Sequence, residues 1–210
     1  MKENDIQHDL ASIRSLMERS SKFISLSGLS GILAGVYALA GAGLAYRIIY
    51  GGLRLYNPVQ PQPAHLMADP FQIAPLLGIA IIVLIASLAT GFILSLRKAH
   101  RTGQRFWGPS SKVLLFNMIV PLATGGLVIL LLLWRGYFDI VAPASLIFYG
   151  LALIGAGNFT FKGVQYLGIN EIVLGLVAAL YPGYGLLFWA IGFGVLHIIY
   201  GSIMYLKYDR

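Results

Sequence analysis

Two ionisable side chains sit inside long apolar stretches of this sequence, Glu171 in GINEIVLG and His197 in GVLHIIYG. A carboxyl and an imidazole within reach of each other can relay a proton or hold a polar ligand. Ionisable groups in such segments face a cavity or a partner, because apolar surroundings penalise their charge. Each has glycine three residues before it and four after it, Gly168 and Gly175 for Glu171, Gly194 and Gly201 for His197. Positions three and four apart share a helix face, so each polar group lies on a stripe that lets another backbone come close.

The elements that must carry this pair are membrane spans. The chain has 210 residues, 58% of them apolar and 11% charged, whereas a soluble domain carries charge on about a quarter of its residues. The apolar residues come in unbroken blocks, each near the ~20 residues needed to cross hydrocarbon as a helix. Six such blocks are read at 23–46, 72–96, 113–134, 140–161, 163–181 and 184–206. The apolar run that opens at Phe23 is too long for a signal peptide core of about 7–15 residues, so it reads as a retained span. The expected fold is all-α, a six-helix transmembrane bundle (23–210) preceded by a cytoplasmic amphipathic helix (1–22).

Lysine and arginine orient it. Twelve of them (Lys2, Arg14, Arg19, Lys22, Arg97, Lys98, Arg101, Arg105, Lys112, Lys162, Lys207 and Arg210) fall on one side of an alternating six-span path. Only Arg47, Arg54 and Arg135 fall on the other. Positive charge is retained inside, so both termini are expected in the cytoplasm. Tyrosines and tryptophans at predicted span ends, Tyr46, Trp107, Trp134 and Tyr181 among them, supply the interfacial belt. Trp189 stands apart, well inside the last span.

Within this frame Glu171 lies nine residues beyond Lys162, about 13 Å of helix rise from the cytoplasmic end. His197 lies ten residues before Lys207, about 15 Å from the same end. A Pro182–Gly183 turn joins the two spans, so they run antiparallel as neighbours and the depths match. Asn170, Asn158, Tyr166 and Tyr200 fall near the same depth and complete the candidate ligand or proton site. Lys162 and Gly163 are expected to form the tight turn between spans four and five.

Three further segments have chemistry of their own. In residues 4–22 an apolar stripe of Ile6, Leu10, Ile13 and Met17 backs a charge-balanced polar face. That balance suits packing against a second copy or a cytoplasmic protein better than anionic lipid. The loop RKAHRTGQRFWGPSSK offers Arg97, Lys98, Arg101, Arg105 and Lys112 to lipid head groups, beside their role in setting topology. The outer loop holds Pro58, Pro61, Pro63 and Pro70 and reads as an extended spacer.

Other chemistries find no residues. There is no cysteine, no second intramembrane histidine to pair with His197 around a haem, no H-E-x-x-H metal motif, no G-x-S-x-G elbow and no P-loop. No catalytic residue, metal or cofactor is expected. The formal charge of +7 is accounted for by the topology, so nucleic acid is not expected as a partner. Asp139 and Arg135, four apart, are expected to pair at the surface.

Residues 13–42, IRSLMERSSKFISLSGLSGILAGVYALAGA, and 192–210, GFGVLHIIYGSIMYLKYDR, resemble an uncharacterised bacterial family of short six-span integral membrane proteins. The resemblance implies the same topology and a place in the bacterial inner (plasma) membrane, and it carries no activity or site. Two functional classes fit. One is a small transporter, channel or ligand-binding protein working through Glu171 and His197. The other is a sensor or scaffold working through residues 4–22.

Overall fold

The computed structural model describes residues 27–50, 70–103 and 106–208, the side chains of 70–73 and 109 excepted. Residues 4–22, most of the proline-rich outer loop and Arg105 therefore lie outside the described residues, and with them the amphipathic-helix expectation. Among the described residues every regular element is helical, and six helices are long and apolar enough to cross a membrane.

The helices are α1 (Gly28–Tyr50), α2 (Pro70–Arg101), α3 (Pro109–Trp134), α4 (Val141–Gly157) and α5 (Lys162–Leu180). The sixth span, Gly185–Tyr208, is composite. It starts as α6 (Gly185–Trp189), passes through a π-helical stretch at Ala190–Leu196 and continues as α7 (His197–Tyr208).

The helix ends follow local chemistry. Pro109 opens α3, where its missing N–H would have had no helical partner anyway. Ser111 Oγ accepts the Gly108 N–H at 3.3 Å and donates to the Phe106 carbonyl at 2.6 Å. At the other end of α3, Tyr137 N–H reaches the Leu132 carbonyl at 2.9 Å and Gly136 N–H reaches Leu133 at 3.1 Å. That crossed pair closes the helix through Gly136 at φ +79°, a conformation that suits glycine. A turn at residues 181–184, with Pro182 second and Gly183 third at φ +89°, reverses the chain before the last span.

The turn between α4 and α5 departs from expectation. Helix α4 ends at Gly157, Lys162 already belongs to α5, and residues 158–161 make the reversal. The Ala156 carbonyl accepts from both Phe159 N–H at 3.0 Å and Thr160 Oγ1 at 2.9 Å. The last carbonyls of α4 are thus satisfied locally, so the helix can stop a turn before its apolar run does. Arg135 and Asp139 also form no ion pair; the Arg135 guanidinium lies over the Trp134 ring at 5.6 Å.

Glycine decides which helices touch. A Cβ on Gly150 would stand 2.6 Å from the Gly168 carbonyl oxygen, so α4 and α5 meet backbone to backbone. A Cβ on Gly35 would stand 2.6 Å from the Gly194 carbonyl oxygen, which ties α1 to the sixth span. Such approach suits a lipid solvent, where packing rather than water expulsion holds helices together. The glycine stripes flanking Glu171 and His197 therefore serve different neighbours: Gly168 and Gly175 face α4, while Gly194 and Gly201 face α1. Around this centre, α2 packs on α1 and α3 packs on α4, whereas α2 and α3 make at most marginal contact with each other. A cleft of about 800 Å³ lies between them, floored by α1, α4 and the sixth span.

Candidate functional site

Glu171 lies midway along α5 and is completely buried, at 0% exposure. His197 opens α7 directly after the π-helical stretch and is 6% exposed. The two spans bring His197 Nδ1 to 3.4 Å from Glu171 Oε1. Equal depth and the short turn thus do place the pair together, facing the bundle interior.

The imidazole has two firmer partners. Its Nδ1 is 3.0 Å from the Gly192 carbonyl oxygen, five residues back. A carbonyl only accepts, so the proton on this nitrogen is specified by the backbone. Its Nε2 is 2.8 Å from the hydroxyl of Tyr149, the ninth of the 17 residues of α4. A neutral ring accepts the tyrosine proton there, and an imidazolium donates to the tyrosine oxygen. The π-helical stretch contains Gly192 and ends at the residue before His197, and such widened turns frequently accompany functional positions.

Glu171 is held by shape instead. Neither carboxyl oxygen has a hydrogen-bond partner among the described residues, and 3.4 Å is too long for a good N–H···O bond. A buried polar group left unpaired costs about 1–3 kcal/mol, and more if charged. The carboxyl packs against Gly192, where a Cβ would come within 2.5 Å of both Oε2 and Leu146 Cδ2.

Aromatic rings continue the line into the cleft. Phe193 sits 5.0 Å from Tyr149 and 5.2 Å from Trp189, centroid to centroid, and its ring lies nearly parallel to His197 at 6.0 Å. Tyr149, Trp189, Phe193 and His197 all line the cleft, and Glu171 lies behind His197. The mid-span position of Trp189 is explained by this wall. Tyr149 and Gly192 were not among the residues expected from sequence. A tyrosine at the centre of a span, away from the interfacial belt, was the available signal for the first, and none marked the second.

The remaining candidates divide. Asn170 Nδ2 donates to the Tyr200 hydroxyl at 2.9 Å and to the Tyr166 carbonyl at 2.8 Å, linking α5 to α7 one turn from the pair. Tyr200 also reaches the cleft. The Tyr166 side chain points outward at 58% exposure. Asn158 caps α4 and accepts from Gln165 Nε2 at 2.6 Å. These two do not join the buried pair: the rotation of α5 that turns Glu171 inward turns Tyr166 out, and Asn158 lies exposed in the turn after α4. Among the basic loop residues, Arg97, Lys98 and Arg101 end α2 and Lys112 lies in the first turn of α3. The Lys98 ammonium stands over the Phe161 ring at 5.7 Å. No group of three or more metal-ligating side chains occurs among the described residues.

Comparison with known protein families, with curated proteins and with solved structures finds no match for this chain.

Proposed function

We propose that this is a ligand-binding membrane protein of the small transporter or channel class. Its working centre is the line Tyr149–His197–Glu171, where the protonation of carboxyl and imidazole responds to what occupies the cleft. The observation that carries the reading is the fully buried Glu171, both oxygens without a partner among the described residues, 3.4 Å behind a histidine that lines the cleft and bonds Tyr149. A hydrogen bond in a membrane interior contributes only ~0.6–2 kcal/mol, so packing alone gives little reason for an acid there. The pair is electrically neutral as carboxylate with imidazolium or as two uncharged groups, and the two arrangements differ by the place of one proton. Because Gly192 holds a proton on Nδ1 in both arrangements, the proton that makes the imidazolium sits on Nε2. It is exchanged from the cleft along the Tyr149 hydrogen bond while the carboxyl gives up its own, and its arrival reverses that bond and so changes the cleft wall.

The protein is read as lying in a bacterial plasma membrane with both termini cytoplasmic, on the strength of twelve basic residues against three. The basic ends of α2 and α3 then meet the cytoplasmic head groups.

Infrared difference spectroscopy across pH tests the reading in lipid nanodiscs. A buried carboxyl band is expected to titrate in the wild type, to shift in heavy water and to be missing from Glu171→Gln. A Glu171 that shows no change of protonation over the whole range in which the protein stays folded makes the group purely structural and removes the proposal.

A further inference from the structure

The cleft identifies the chemical class of the ligand, an inference that rests on the proposed function of the Tyr149–His197–Glu171 centre. Among the described residues no lysine, arginine, aspartate or glutamate lines it. Four of its hydroxyl side chains, Ser30, Ser111, Ser145 and Thr160, donate to nearby backbone carbonyls at 2.6–2.9 Å. They present little polarity to an occupant. Ser27, Ser87, Ser95 and Tyr200, whose hydroxyl takes a hydrogen bond from Asn170, also line the cleft, and the Tyr149–His197 contact sets a buried polar pair in a wall that is mostly aromatic and aliphatic.

The cleft also has direction. It runs beside α2 from Leu77 to Ser95, about 27 Å at 1.5 Å per residue, nearly the thickness of the hydrocarbon layer. Because α2 and α3 make at most marginal contact, it opens sideways between two spans. In a bilayer that side faces acyl chains rather than water. Its volume of about 800 Å³ falls within the usual range for small-molecule sites, about 300–1,000 Å³.

We propose that the cleft takes a long, uncharged, lipid-soluble molecule bearing one hydroxyl or carbonyl group, which enters from the bilayer between α2 and α3 and hydrogen-bonds Tyr149. An anionic head finds no lysine or arginine in the described wall, and an imidazolium at His197 is already balanced by the carboxylate behind it. The tyrosine oxygen serves both ligand chemistries. While its proton goes to Nε2 it accepts from a ligand hydroxyl, and while it accepts from Nε2–H its own proton goes to a ligand carbonyl. Ligand head group and proton position are thereby linked.

Two glycines allow a test that does not disturb the fold. Gly91 of α2 and Gly126 of α3 both line the cleft, and a Cβ on either meets nothing within 4 Å. Gly91→Phe and Gly126→Phe therefore fill the cleft, and thermal unfolding should confirm that both remain folded. The probes are a photoreactive long-chain alcohol, the matching ketone and the matching fatty acid, each in phosphatidylcholine nanodiscs.

Alcohol and ketone are expected to label cleft residues of α2, α3 and α4 and to be displaced by unlabelled compound. Both filling variants should abolish this labelling, and Tyr149→Phe should weaken it by roughly tenfold, the loss of about 1.4 kcal/mol. Equal labelling by the fatty acid, or labelling unchanged in both filling variants and in Tyr149→Phe, means ordinary boundary lipid and overturns the proposal. The infrared titration of the wild type, set beside the labelling, separates the two readings. Saturable labelling with no titrating carboxyl leaves the ligand class standing and the proton reading refuted. A titrating carboxyl with no specific labelling does the reverse.

Discussion

Glu171 and Gly192 fit against each other so closely that a single methyl group on the glycine would stand 2.5 Å from the carboxyl oxygen Oε2. Gly192 thus has two roles at once. Its missing side chain makes room for the acid, and its carbonyl takes the histidine proton that orients the ring toward Tyr149.

Gly192→Ala is therefore expected to destabilise the protein by about 1–3 kcal/mol, the usual range for overpacking. The methyl would meet Glu171 and Leu146, both fully buried with nowhere to move. Gly194→Ala is the control. Its methyl meets the Leu39 side chain, which is 37% exposed and free to swing outward. Thermal unfolding in one detergent should rank Gly192→Ala well below Gly194→Ala, and equal midpoints would show that Glu171 is not confined as described.

Tyr149→Phe keeps the ring against Phe193 and removes one hydrogen bond to His197 Nε2. The expected loss is about 0.6–2 kcal/mol, with the fold intact. Nitrogen NMR of the labelled imidazole gives the sharper readout. The Nε2 resonance should move while Nδ1, held by Gly192, keeps its proton. A spectrum unchanged at both nitrogens would remove Tyr149 from the line.

Gly150 and Gly168 allow α4 and α5 to touch, since a Cβ on either comes 2.6 Å from the other's carbonyl oxygen and 3.0 Å from an amide nitrogen on the facing helix. Backbone cannot rotate out of the way as a side chain does. Alanine at either position is expected to force the helices apart and to lower stability more than alanine at Gly78, where nothing lies within 4 Å. Equal thermal shifts at all three positions would contradict this packing.

Gly136 stands at φ +79° at the end of α3 and Gly183 at φ +89° in the turn before the sixth span. Alanine at either should cost roughly 1–2 kcal/mol from the left-handed backbone alone. The two losses should add within experimental error, because the turns close different helix pairs.

Topology has its own check. Single cysteines introduced at Arg101 and Lys162 should react with an impermeant reagent from the cytoplasmic side, and one at Pro61 from the opposite side. Reaction of the Pro61 and Arg101 positions from one side would refute the six-span path.

The number of spans and the meeting of Glu171 with His197 were legible in the sequence. Hydrocarbon thickness sets the length of an apolar helix. Equal distances of the two residues from one membrane face, with a Pro-Gly turn between their spans, leave them level. The end of α4 was less legible, because apolarity continues through Phe159 and Phe161 while the hydrogen bonds of Thr160 stop the helix. Tertiary structure alone decided that Gly168 and Gly175 face α4, that Gly194 and Gly201 face α1, that Tyr149 completes the line from Glu171, and that α2 and α3 stand apart around a cleft. The reason is the solvent. In water a helix declares its inner face by the contrast of polar and apolar sides, whereas in lipid the outer face is as apolar as the core, so only the fit of one backbone against another selects which faces meet.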